Sequence, residues 1–85
     1  MDAAVVHLYD AALRLMRHYA IPFVPIERVR EELDWTTDDV AAVVDGCVRG
    51  APVVLGALVA DWMFDGEQPA FGTSGARFIG IRPAP

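Results

Sequence analysis

A few residues of this chain have side chains that could do chemistry: two histidines, one cysteine, a Gly-Thr-Ser-Gly run and two tryptophans. His7 and His18 are eleven residues apart. On a helix that spacing turns them the same way but sets them roughly 16 Å apart at ~1.5 Å per residue. One metal ion cannot bridge that span, and Arg14 lies between them. Both read as solvent-facing side chains, and no metal site is expected. Cys47 falls on the apolar face of a helical stretch, so a buried and inert thiol is expected. A redox sensor would need exposure and a lowered pKa, and Asp45 nearby opposes the latter. Gly72-Thr73-Ser74-Gly75 superficially resembles a phosphate-cradling loop, but the required Lys and following helix are missing. It reads as a hairpin turn. Ser74 has no histidine close in sequence to activate it. No catalytic residue, cofactor or small-molecule ligand is inferred, and a non-enzymatic protein is expected. Trp35 reads as a plug at the edge of the core. Trp62, beside Met63 and Phe64, either fills core space or forms an exposed aromatic contact cluster.

The bulk properties narrow the partners. Eighty-five residues make one domain, 1–85, and 54% of them are apolar. So small a chain has limited interior, so part of that apolar surface is expected to meet a partner. No run approaches the roughly 18 apolar residues that suggest a membrane span. The start lacks a basic region and begins with Asp2, against a secretory signal. The single cysteine excludes an internal disulfide, and a reducing, cytoplasmic setting is the simplest expectation. The formal charge is −5, with seven Arg and no Lys. A net acidic chain is poorly suited to neutralising phosphates. Arg-only, Ala/Val-rich usage is associated with GC-rich prokaryotic genomes.

Hydrophobic spacing places the elements that carry these residues. Asp2 to Ala20 reads as a helix with Asp2 as N-cap and Pro22 as a stop. Val5, Tyr9, Ala12, Leu13 and Met16 share one face, and Ala4, Leu8, Ala11 and Leu15 form a second stripe beside it. Together they are wider than one core-facing side needs. Either two neighbouring elements clasp this helix, or it also packs on another subunit. Ile21 to Val24 reads as an edge strand, and Pro25 opens a helix over Ile26–Leu33. After the Asp34-Trp35-Thr36 turn, a third helix buries Val40, Val43, Val44, Cys47 and Val48, with Thr36 and Asp39 resembling a capping box and Gly50 as its stop. Val53–Met63 could be strand or helix and leans towards strand. Asp65-Gly66 marks a turn, Ala76–Ile81 a final strand, and Pro83-Ala84-Pro85 a frayed end.

Ile26-x-x-Val29-x-x-x-Leu33 followed by Trp35-Thr36-x-x-x-Val40-x-x-Val43-Val44-x-x-Cys47-Val48 resembles the winged helix-turn-helix superfamily, as does the order helix, short strand, helix, turn, helix, hairpin. The resemblance covers nearly the whole chain and implies an α+β fold of three helices plus a C-terminal β-hairpin wing. It also implies that the third helix reads base edges and the wing touches phosphates. Those roles would fall on Asp38, Asp39, Ala42, Asp45, Arg49 and the loop from about Asp65 to Gly75. The chain departs from the pattern in both places. Asp38, Asp39 and Asp45 stand against Arg49 alone, and the loop carries Asp65 and Glu67 with no base until Arg77.

The expected function is therefore a protein-interaction or self-associating regulatory module. Contacts would come from Leu8, Ala11 and Leu15 and from Trp62, Met63 and Phe64, with the acidic helix face meeting a basic partner. The alternative is a dimeric DNA-binding transcription regulator using Arg28, Arg30, Arg49 and Arg77 on phosphates, which charge disfavours.

Overall fold

Asp2 accepts the N–H of Ala4 and so starts the first helix, α1 (Ala3–Tyr19), in a computed structural model that describes residues 2–85. α1 ends at Ala20, which adopts left-handed backbone (φ 54°) and donates its N–H to the carbonyl of Met16. The stop is thus a C-cap before Pro22 is reached. The short strand β1 (Val24–Pro25) follows, then α2 (Ile26–Leu33) and α3 (Thr37–Arg49). Between the last two, Asp34 is left-handed (φ 55°) and Trp35 is held from both sides. Its N–H donates to the Arg30 carbonyl at 3.2 Å, and its carbonyl accepts from Arg30 Nη1 at 3.0 Å. Thr36 caps α3 by accepting the Asp39 N–H at 3.1 Å. Gly50 ends α3 in extended backbone (φ −82°), so its stop does not use the left-handed conformation expected of a C′ glycine.

The remaining strands are β2 (Leu58–Met63) and β3 (Phe78–Pro83). The fold is α+β, with three helices and one antiparallel sheet of order β1-β3-β2. Only the second half of Val53–Met63 is a regular strand. A tight turn at Gly56 (φ 61°) precedes it, closed by reciprocal hydrogen bonds between Leu55 and Leu58. β3 starts two residues later than its apolar pattern suggested and runs on through Pro83, opposite Leu58. Ala84 then donates its N–H to Ala57 at 2.7 Å, so the expected fraying is not found there. β1 is an edge strand, as Pro25 and the preceding Pro22 favour, but shifted to Val24–Pro25 opposite Ile79 and Phe78. Gly80 lets the segment before β1 lie close, because a Cβ there would meet the Pro22 carbonyl oxygen at 2.6 Å. Beyond β1, the Ile81 N–H donates to Met16 Sδ at 3.2 Å.

The core lies between α1 and everything else. Leu8, Ala11 and Ala12 are wholly buried, with Ile26, Val29, Val40, Val44 and Ile79. α1 meets α2, α3, β1 and β3, which accounts for its two apolar stripes. Tyr9 is buried and donates its hydroxyl to the Val53 carbonyl at 2.8 Å, fastening the segment after α3 to α1.

Candidate interaction surfaces

α3 projects residues 38, 39, 42, 45 and 49 away from the core because Val40, Val44 and Cys47 bury the opposite side. Its outward face divides in two. At the N-terminal end, Asp38 and Asp39 are exposed and stand in the first turn, where carboxylates favour the positive end of the helix dipole. Neither pairs with an arginine among the described residues.

In the C-terminal half, Asp45 is engaged by a distant loop, while Arg49 stays exposed. Asp45 is half-buried and accepts the backbone N–H groups of Thr73 and Ser74 at 2.9 and 3.0 Å. These bonds, that of Ser74 foremost, hold its carboxyl down at about 2. Arg49 donates to Thr73 Oγ1. Phe71, buried in the core, anchors this loop, and Phe71 and Ala76 bridge its neck. Gly72 is required twice over. Its φ is +68°, and a Cβ there would meet the Asp45 carboxylate oxygens at 2.3 Å. Asp45 is therefore no part of a free acidic face, which reduces to Asp38 and Asp39. Sequence spacing could not show this, because Thr73 lies 28 residues away.

The arginines do not converge. Arg28 lies over the Tyr19 ring at 5.4 Å and donates to its hydroxyl. Arg30 pairs with Glu27 and holds the Trp35 carbonyl. Arg77 donates to the carbonyls of Phe64 and Gln68, closing the base of the hairpin. Arg14 reaches both Asp10 and Glu32, at 3.1 and 3.0 Å, and Arg82 pairs with Asp61 at 2.6 Å. The proposed phosphate contacts Arg28, Arg30, Arg49 and Arg77 are thus scattered over α2, α3 and the hairpin, each already holding its own fold.

Two expected partner contacts are corrected. Leu8 and Ala11 are 0% exposed and Leu15 is 7% exposed, so this stripe is core and offers nothing to a second chain. Trp62 packs half-buried against the core opposite Ile79, which leaves Met63 and Phe64 exposed without it. Trp35 is half-buried at the core edge as expected.

The chemistry-bearing residues stay apart. His7 and His18 are exposed on α1. Cys47 is buried, and burial pushes its thiol pKa up, with Asp2 adding to the effect. Ser74 Oγ bonds the Phe71 carbonyl and the Ala76 N–H within its own turn. No cluster of three or more metal-ligating side chains occurs among the described residues.

Two hollows bear on the surfaces above. One hollow of about 540 Å³ is bounded by Tyr19, Ile21, Pro25, Glu27, Arg28 and Glu31. Another, of about 460 Å³, lies between the start of α1 and α3 and is lined by Ala4, His7, Trp35, Asp39, Ala42 and Val43. It adjoins a smaller recess that shares Ala42 and Val43 and continues past Val5 and Gly46 to Cys47. No helix is long and apolar enough to cross a membrane among the described residues. No protein-family model, curated protein or solved structure matches the chain.

Proposed function

We propose that this chain is a non-enzymatic protein-interaction module on a winged helix-turn-helix scaffold. The order α1-β1-α2-α3-β2-β3, with the short strand beside the second arm of the hairpin, supports the scaffold. The observation that carries the function is the outward face of α3. Its N-terminal half bears Asp38 and Asp39 without an arginine partner among the described residues, and in its other half the 71–76 loop engages Asp45. A helix with this charge is poorly suited to a major groove. Two like charges roughly 4–6 Å apart repel by about 1 kcal/mol even at water-like screening. Each phosphate contact forgone also loses its counterion release. The net charge of −5 favours a basic protein surface instead.

The second reading, a DNA-binding regulator, gains one point from Asp45, whose carboxylate is turned to the loop. Against that, Arg49 is tied to Thr73 of the same loop. Fluorescence anisotropy with a generic labelled duplex at low salt separates the two. No binding at micromolar protein is expected. Micromolar binding that falls steeply with added salt would overturn the proposal.

A further inference from the structure

We infer that the groove between α1 and α3 is where the module docks its partner, and that the partner is a short amphipathic helix flanked by basic residues. This inference deepens the proposed function and rests on it. The groove floor is apolar and mostly small: Ala4 and Val5 on α1, Ala42, Val43 and Gly46 on α3. Small floors let a helix backbone come near, and Gly46 has open space where a Cβ would be. Trp35 forms one wall, an aromatic anchor of the kind that concentrates binding energy. From Asp39 to Gly46 the groove follows α3 for about 10 Å, at roughly 1.5 Å per residue. That length suits two turns of helix laying down apolar residues at i, i+4 and i+7.

Charge selects the occupant. Asp39 and the exposed His7 line the groove, Asp38 precedes Asp39 in the exposed first turn of α3, and Asp2 lies at the far recess. Among the described residues none of the three carboxylates pairs with an arginine. Basic residues flanking an apolar stripe would meet these carboxylates. A second copy of this chain would bring another −5 to an acidic rim, so self-docking is disfavoured. The larger hollow near Tyr19 offers no such selection. Arg28 covers its aromatic ring, and Glu27, Arg28 and Glu31 mix both signs along its edge.

The test uses the full chain and three synthetic helical peptides of equal length. One carries a Leu/Ala stripe with Arg flanks, one the same stripe with Glu flanks, and one the Arg composition with the stripe scrambled. Titrations are followed by Trp fluorescence and by amide shifts in heteronuclear NMR. The Arg-flanked peptide is expected to bind saturably and to move the amides of Ala4, Ala42 and Val43. The Glu-flanked peptide is expected to bind at least about tenfold more weakly. Ala42→Arg, an exposed substitution, and Asp39→Asn are each expected to weaken the first peptide by about threefold or more. Equal binding of the scrambled peptide, or shifts confined to another surface, would overturn the groove assignment while leaving the module intact. Self-association of the free chain through Ala42 and Val43 would overturn the choice of occupant. Duplex binding in the preceding experiment is the separate failure of the underlying reading.

Discussion

The carboxylate of Asp45 and the backbone of Gly72 form one fastening. Two N–H groups satisfy the carboxylate, with that of Ser74 first among the causes that hold its pKa near 2. A carboxyl depressed on folding stabilises the native state above its unfolded pKa of about 3.9. That contribution is lost as pH falls through the folded value. Asp45→Asn is therefore expected to lower the melting temperature at pH 7, and the gap from the parent should close between about pH 4 and 2. A gap independent of pH, measured by circular dichroism, would contradict it. Gly72→Ala should cost about 1–3 kcal/mol in urea unfolding, because it combines positive φ with a clash against Asp45. That Asp45 would face a loop was not readable from its surroundings on α3. A helix pattern places a side chain on a face, and says nothing of which distant loop settles there.

At the scale of elements, periodicity and caps worked where local chemistry decides. Ile26–Leu33 and Thr37–Arg49 are bounded as their apolar spacing, Pro25 and Thr36 dictate. Where the outcome depends on long-range pairing, they did not. β2 begins only at Leu58 because its register against β3 is set there. The double stripe of α1 was legible, but whether its second half met this chain or another was not, since burial looks the same from either. The position of the end of α1 was legible, but its mechanism was not, as nothing about Ala20 signals left-handed backbone. Alanine carries a steric penalty in that conformation that glycine avoids. Ala20→Gly is accordingly expected to raise unfolding stability by about 1 kcal/mol in urea. A loss of stability would show that the C-cap geometry is held for another reason.

Over the whole molecule, one core absorbs much of the apolar surplus, while Val6, Tyr19, Val54, Met63 and Phe64 stay exposed. Leu15 belongs to that core, at 7% exposed. Leu15→Arg should therefore cost about 2–5 kcal/mol through lost core packing and the burial of a charged chain. Thermal melting checks this. A normally folded variant that differs only in sedimentation mass would return Leu15 to an intersubunit role. The candidate surface was half legible at this scale. The acidic first turn of α3 was visible in Asp38 and Asp39, whereas the groove beside it exists only because α1 crosses there. Ala4 and Ala42 lie far apart in the chain and carry no polar signal of their own.

The sulfur of Met16 stands where a longer β1 would have supplied a carbonyl to Ile81. Part of the seam between helix and sheet is therefore chemically perishable. Peroxide would reach the exposed thioether of Met63 sooner, and at little harm to the fold. Oxygen added at Met16 would replace a soft apolar atom by a bulky dipole within a tight junction, so oxidative ageing of this protein would loosen it at the junction of α1 and β3.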